Sequence, residues 1–538
     1  MIVSERLVKK ESERGPHNGK SDKQMGGNNR ELEIKFSTDS PGLKAAFDSP
    51  ALGGAADRGA TSRKLVSTYF DTDDGALSKH RISLRVRRAG RGAPIVAIKW
   101  PVASKGDAFS RGEIEVRSRS PVPNLTLFSE EVAAELIKII GDRPLQPQFE
   151  TRIRRRTRLI GAGTAQIEIA FDDGEIVAGD RRTRVAEVEL ELKSGDASDL
   201  FEFAAHAIVA LPLRLDVTSK AQRGFRLARG ATAEPVKAGA PRFAPSATVD
   251  DAIREILGHT FTHFLANIAP LREGDDPEAI HQLRVALRRM RSALGMFARV
   301  TPCAEFDTFR AEAKRIATAL GPARECDAFS DLLAAGPRRA LAGVSVFAGI
   351  DAALEQRRRA LYAEARQLID AQGTSVFALR LQAFLIRCGW RNAAAGEQLE
   401  NLITPATQFS SDMLDRASKR VAKRGKHVVS LTNEERHMVR IALKKLRYAA
   451  EFFGGLCGEA GKRRAYIRTV TRLQDILGAH NDAVGAQTML DSIDARAEAN
   501  MALATGVVLG WCERNTEVAD AELEAAWRRF KRLRPFWR

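Results

Sequence analysis

The chain reads as an α+β multidomain protein, an antiparallel β-sheet half followed by an all-α half built as a duplicated helical bundle. Three observations predict this. Residues 30–229 alternate apolar and charged side chains in short runs, the period-two signature of half-buried strands. Residues 230–245 are rich in Ala, Pro and Gly and read as a linker. From 246 to 538 apolar residues recur at helical spacing, and the pattern occurs twice, over about 250–400 and about 405–538.

Composition sets the outer bounds. A length of 538 residues, 44% of them hydrophobic, supports two or three separate cores. The excess of 85 Lys and Arg over 68 Asp and Glu gives +17 and calls for an anionic partner. Aromatics are only 6% and no nucleic-acid motif occurs, so specific nucleic-acid binding is not expected. Cys303, Cys326, Cys388, Cys457 and Cys512 lie far apart, which argues against a disulfide framework or zinc site and fits a reducing cytosol. No apolar run is long enough for a bilayer, and no signal peptide is visible, so a cytoplasmic protein without membrane contact is expected. Residues 1–29, polar and Gly/Asn-rich, are expected to be a disordered tail or a misassigned start.

The strands carry sorted charge. In Glu31-Leu-Glu33-Ile-Lys35-Phe the charged residues share one face and Leu32, Ile34 and Phe36 the other. Arg85 and Arg87 oppose Leu84 and Val86; Arg111, Glu113 and Glu115 oppose Ile114 and Val116. Arg152, Arg154 and Arg156 form a basic face, and Gln166, Glu168 and Asp172 a largely acidic one. Glu187, Glu189, Glu191 and Lys193 oppose Val188, Leu190 and Leu192. For one strand, a solvated charged face is explanation enough. For the set it is not, because like charges two residues apart on one strand repel unless something bridges them. Divalent metal bridges carboxylates, and phosphate bridges Lys and Arg. A sheet closed with this face inward would form a tunnel with metal-binding and phosphate-binding walls.

These residues resemble the CYTH, or triphosphate tunnel metalloenzyme, superfamily. Its leading Glu-x-Glu-x-Lys stands here as Glu31, Glu33 and Lys35. The match continues through Lys64, Tyr69-Phe70-Asp71-Thr72, Leu84-Arg85-Val86-Arg87, Lys99 and the Glu113/Glu115 pair. It ends with Glu187-Val-Glu189-Leu-Glu191-Leu-Lys193 and Ser219-Lys220-Ala-Gln-Arg223-Gly224, and covers about residues 30–229. The resemblance implies an eight-stranded antiparallel β-tunnel with flanking helices that acts on triphosphate-bearing substrates with Mg²⁺ or Mn²⁺. Carried over position by position, Glu31, Glu33, Glu189 and Glu191 are the metal candidates, with Glu187 and Asp172 as further ones. Lys35, Lys64, Arg85, Arg87, Lys99, Arg152, Lys193 and Lys220 form the phosphate clamp, with Arg154 as the alternative to Arg152 if the register shifts. The catalytic set is Glu31, Glu33, Glu191 and Lys35. Two features depart from the family pattern: the stretch preceding Glu31, and His80-Arg81-Ile82 ahead of Leu84.

The helical half carries two basic faces. His281, Arg284, Arg288 and Arg291 are spaced 3, 4, 3, as are His437, Arg440, Lys444 and Arg447. Each set falls within an arc of roughly 80° on its helix, opposite an apolar stripe. No Asp or Glu interrupts residues 281–299 or 436–447. The copies sit 156 and 157 residues apart, measured from 281 to 437 and from 321 to 478. A solvated face normally mixes charge signs, so two such copies point to an anion-binding surface. With Leu320-Gly321, Arg324 and Asp327, and Gln474-Asp475-Ile-Leu-Gly478 with Asp482, this half resembles the CHAD domain over about residues 246–538. That resemblance implies binding of inorganic polyphosphate through the eight basic positions.

The function expected is metal-dependent hydrolysis of inorganic triphosphate to phosphate and pyrophosphate, in a bacterial cytoplasm, with association to polyphosphate granules. The alternatives are a non-catalytic polyphosphate-binding scaffold, or the same tunnel acting on an organic triphosphate by thiamine triphosphatase or class IV adenylate cyclase chemistry. The oligomeric state is left open.

Overall fold

A computed structural model describes residues 30–54, 61–102, 108–340, 345–493 and 499–538. The expected tail, 1–29, lies outside the described residues. The chain forms two compact units. The first is discontinuous in sequence and comprises residues up to Glu234 together with Arg272–Gly274 and Asp370–Arg387; the second holds the remainder.

The first unit is a closed eight-stranded antiparallel barrel. Its strands are β1 (Arg30–Ser37), β2 (Thr61–Asp71), β3 (Ser83–Ala89), β4 (Ile95–Pro101), β5 (Ser110–Arg117), β6 (Gln146–Ala162), β7 (Ala165–Ala178) and β8 (Arg181–Ser194). They pair in the order β5-β4-β3-β2-β6-β7-β8-β1, and β5 returns to β1 to close the ring. A three-residue strand, β9 (Arg214–Asp216), adds to β1 beyond the point where β5 leaves it.

Apolar side chains are sorted to opposite sides in different parts of this barrel, and that sorting decides which charges face inward. In β3 and β4 the apolar set points outward. Leu84, Val86, Val96, Ile98 and Trp100 pack with Val132, Leu136, Ile139 and Ile140 of the amphipathic helix Glu130–Ile140. In β2 and β6 the apolar set points inward. Leu65, Tyr69, Phe149 and Ile153 pack with Ala221 and Phe225 of the helix Lys220–Arg229, which thereby plugs one end of the barrel. Tyr69 stacks on Phe149 at 4.5 Å, and Phe149 meets Phe225 edge-on at 5.1 Å. Gly224 allows that approach: a Cβ there would lie 2.0 Å from the Phe149 ring.

The second unit is helical. Its two 21-residue helices, Pro277–Phe297 and Asn433–Phe453, carry the basic faces. Both have a side-chain N-cap, from Asp276 and Thr432 respectively, and both bury their apolar stripes completely at Leu283, Leu287, Met290, Leu443 and Leu446. Residues 236–242, within the expected linker, are pinned to this unit. Val236 N–H donates to Asn267 Oδ1 (2.9 Å), Asn267 Nδ2 donates back to Val236 O (2.9 Å), and Arg242 N–H donates to Glu255 (3.2 Å). Among the described residues no helix is long and apolar enough to cross a membrane, and all five cysteines are free thiols.

Candidate functional site: a charged barrel interior and a basic helix pair

The barrel encloses a cavity of about 290 Å³. Its lining carries Glu31, Glu33, Lys35, Arg85, Arg87, Lys99, Arg111, Glu113, Glu115, Arg155, Glu168, Glu189, Glu191, Lys193 and Lys220, with Tyr69 and Ser219. Acids and bases interleave because the register sets them side by side. Glu33 pairs with Glu191 and Lys35 with Glu189 across β1 and β8, and Lys99 pairs with Glu113 across β4 and β5.

Two acidic groups occupy this interior, in different electrical states. Asp172, Glu187 and Glu189 are buried, and their oxygens lie within 4.8 Å of one another. This trio already has its cations. Lys220 Nζ reaches Asp172 at 2.8 Å, Glu187 at 2.5 Å and Glu189 at 2.6 Å. Arg155 holds both Asp172 oxygens, at 2.7 and 2.6 Å, and also bonds Glu189, while Arg223 bonds Glu187. Despite burial, the cations Lys220 and Arg155 hold Asp172 below the usual carboxylate range and Glu189 well below it.

Glu31, Glu33 and Glu191 are less compensated. Each contacts a lysine: Lys99 to Glu31 at 2.5 Å, Lys35 to Glu33 at 2.9 Å, Lys193 to Glu191 at 2.7 Å. Yet burial and then the neighbouring Glu189 push Glu33 up, and burial, with Glu31 and Glu33 nearby, pushes Glu191 up to about 6. Carboxylates held above their normal pKa by burial and crowding want a further cation, and their hard oxygen donors suit a divalent ion such as Mg²⁺ or Mn²⁺. On the opposite wall Arg85 contacts Glu113 (3.0 Å) and Glu115 (3.2 Å), and burial together with Arg85 and Arg155 pushes Arg87 down to about 10. That cation too lacks a full counter-charge.

The structure therefore brings together Glu31, Glu33, Lys35, Arg85, Arg87, Lys99, Asp172, Glu187, Glu189, Glu191, Lys193 and Lys220. It does not bring Lys64, Arg152 or Arg154 into the cavity. All three are exposed on the outer wall, where Lys64 and Arg154 sit directly opposite one another and Arg152 contacts Glu150 at 3.0 Å. The reason is the inward apolar set of β2 and β6: with Leu65 and Ile153 inside, the alternate residues must face water. The tunnel cation on β6 is Arg155, which shares the inward parity of Phe149, Thr151 and Ile153.

In the helical unit the two basic faces converge. Burial pushes Lys444 down to about 8, helped by Arg440 and Arg447 on its own helix and by Arg288 and Arg284 on the other. Burial and then Arg288 push Arg284 down to about 10. Burial also lowers His281, with Arg324, Arg288 and Arg284 close by, whereas His437 is exposed. The internal repeat is geometric as well as sequential. Arg284 donates to Ala317 O and Arg440 to Gln474 O (3.4 Å), bonds spanning 33 and 34 residues. In each copy a glycine makes room for that arginine: a Cβ would lie 3.1 Å from Arg284 at Gly321 and 3.3 Å from Arg440 at Gly478.

Two family models match the sequence, a CYTH domain over residues 29–225 and a CHAD domain over residues 255–491. The chain is a CYTH–CHAD protein. An inorganic triphosphatase of Haemophilus influenzae (strain ATCC 51907 / DSM 11121 / KW20 / Rd) is 33% identical over 174 residues, 30% of this chain and 46% of that protein. The match thus spans under half the length of that relative. An uncharacterized protein of Mycobacterium tuberculosis (strain CDC 1551 / Oshkosh) is 25% identical over 491 residues, 84% of this chain and 86% of its own length. Among solved structures, the CHAD domain of the plant Ricinus communis is 28% identical, covering 56% of this chain and 98% of its own, with a TM-score of 0.47.

Sequence reasoning gave no site role to several residues that line the CYTH tunnel. Arg155 is the clearest; Tyr69, Glu113 and Glu115 enter the sequence reading only through the family match, and Arg111 and Glu168 only as members of a charged face. Arg155 was legible in principle, because it continues the parity of three residues that must be buried.

The raised Glu191 carries a pH signature. Its folded pKa of about 6 exceeds the ordinary glutamate value of 4.5, so the folded CYTH–CHAD protein binds the extra proton between those values. Without metal, the contribution of Glu191 to stability therefore falls as pH rises through that window, by at most about 2 kcal/mol. In chelator, Glu191→Gln is expected to raise Tm at pH 7.5 and leave it unchanged at pH 4. Equal Tm for the two proteins at both pH values would show that Glu191 is not held in this state.

Proposed function

We propose that the tunnel hydrolyses inorganic triphosphate to phosphate and pyrophosphate with a divalent metal, and that the CHAD domain binds inorganic polyphosphate. The observation that carries the first part is the under-compensated carboxylate group facing under-compensated cations in one small cavity. Glu31, Glu33 and Glu191, with Glu189 beside them, would hold Mg²⁺ or Mn²⁺. When bound, such an ion would neutralise phosphate charge and favour ionisation of an attacking water. Lys35, Arg85, Arg87, Lys99, Arg155 and Lys193 would grip the phosphate oxygens; each is already desolvated and oriented by its present carboxylate or hydroxyl partners. Phosphoryl transfer from an anhydride needs positioning and charge stabilisation rather than a nucleophilic side chain. The relative named inorganic triphosphatase supports the choice of an inorganic substrate. Asp172 and Glu187, clustered with Glu189, are the further candidate ligands; an ion there would take the place Lys220 and Arg155 now hold. Release of phosphate from tripolyphosphate, with Mg²⁺ or Mn²⁺ and with chelator, tests the reading; no metal-dependent release would overturn it.

The converged basic face supports polyphosphate binding. Arg288 Nε is buried with no hydrogen-bond partner among the described residues, and burial together with the surrounding cations pushes Lys444 down to about 8. Both gain from an anion. Arg288→Ala/Lys444→Ala is expected to weaken binding of long-chain polyphosphate about tenfold or more and to flatten its salt dependence. Because Lys444 loses its proton near 8, wild-type affinity should also fall between pH 7 and 9. Titrations at two salt concentrations and two pH values check both, and unchanged affinity in the double variant would remove this face from consideration.

A further inference from the structure

The first compact unit includes residues that follow the linker, and they meet it at one strand. β9 is only three residues long, yet it pairs with β1 at Lys35↔Asp216, Phe36↔Leu215 and Ser37↔Arg214. A strand this short has little pairing of its own to hold it. Its buried Leu215 would leave both backbone groups unsatisfied at the sheet edge. Side chains from beyond the linker take both. Ser375 Oγ accepts from Leu215 N–H at 3.2 Å, and Arg272 Nη1 donates to Leu215 O at 2.9 Å. Asp370 ties the two arms together, accepting from Arg272 Nε at 2.6 Å and from Arg214 Nη1 at 3.1 Å. The helix Gln372–Ile386, which carries Ser375, packs into the same unit and is buried at Phe377, Leu379, Leu381 and Phe384.

What β9 holds are tunnel lysines on both sides. On one side its ladder fixes the end of β1 that bears Lys35. On the other, the chain runs from Asp216 to Ser219, whose hydroxyl caps the helix that begins at Lys220, the cation under the buried acidic trio. Asp216 sets that short path by accepting from Thr218 N–H at 2.8 Å. Moving β9 moves both lysines.

We propose that Arg272, Asp370 and Ser375 are positioning residues for the tunnel. They form a latch on β9 that fixes Lys35 and Lys220 in the cavity, so the helical half of the sequence completes the triphosphate site. The inference rests on the proposed function for its kinetic readout but not for its structural one. In the full-length protein, Arg272→Ala is expected to lower kcat/KM for tripolyphosphate about tenfold to a hundredfold, mainly through KM. Arg272→Lys, which keeps charge but loses the fork, falls between it and wild type. Ser375→Ala, which removes a single bond, gives a smaller loss in the same sense and serves if Arg272→Ala does not fold. Independently of any ligand, amide hydrogen exchange should quicken at residues 35–37 and 214–220 and stay unchanged at 84–88. A lower Tm with unchanged kcat and KM per folded molecule would reduce the latch to a brace and overturn the proposal. Unchanged exchange at 35–37 and 214–220 would overturn it whether or not the protein hydrolyses triphosphate. Absence of hydrolysis by the wild type, with exchange altered as expected, would instead count against the functional reading alone.

Discussion

Glu31→Gln/Glu33→Gln is expected to abolish metal-dependent phosphate release from tripolyphosphate, by about a thousandfold or more. Both residues sit on β1 with their side chains in the cavity, and Glu33 faces Glu191 across the ladder. Removing two charges from this group leaves Glu191 as its main hard donor, with Glu189 already committed to Lys220 and Arg155. Losing several kcal/mol of charge stabilisation at a transferring phosphoryl group corresponds to a factor of this order. The same double variant should still fold in chelator, as far-UV circular dichroism would read, although Lys35 and Lys99 lose their carboxylate partners and some stability goes with them. The combination separates a lost site from a lost fold. Phosphate release within tenfold of wild type at saturating metal would sink the assignment of these carboxylates.

The second large effect is on stability. Lys220→Met is expected to destabilise the first unit by about 3–5 kcal/mol at pH 7, the typical result of breaking a buried ion cluster from one side. Lys220 contacts all three acids of the trio and is itself almost fully enclosed, with 11% of its side chain exposed. In wild type, Asp172 and Glu189 lie below their unfolded pKa values, so their stabilisation is present above about pH 4.5 and is lost as pH falls through the folded values. Without Lys220 that dependence should shrink or reverse, since protonating an acid then relieves the repulsion. Denaturant unfolding at pH 7 and pH 4 tests it. A variant as stable as wild type at pH 7 would mean Arg155 and Arg223 suffice, and Lys220 would become free for substrate.

Much of the site was readable before the structure because charge was sorted by strand. On β1, β3, β4 and β8 the apolar set faces outward under helices, so alternation alone identifies the tunnel side; Glu31, Glu33, Lys35, Arg85, Arg87, Lys99, Glu189 and Glu191 all follow this rule. On β2 and β6 the rule inverts. The helix Lys220–Arg229 enters the barrel end and draws Leu65, Tyr69, Phe149 and Ile153 inward. A period-two pattern states which residues share a face but not which face is inside; that is fixed by what packs against it, here a helix about 70 residues downstream of Phe149. The latch was illegible for a related reason. Ser375 sits in a helix apolar nearly all round, which signals burial but not against what. The repeat of the helical half was legible because both its spacing and its glycines are local.

The discontinuity of the first unit separates two kinds of module that are usually taken to coincide. Along the sequence the division falls between residues 225 and 255, and a recombination event there would transfer an intact reading of one domain. In space the same event would transfer a barrel without Arg272, Asp370 or the apolar helix that follows. Descent can shuffle what the chain orders, but folding can keep only what packs. For this protein the barrel and the segments 272–274 and 370–387 would have to be inherited together, or the recipient would have to supply an equivalent cover for Leu215.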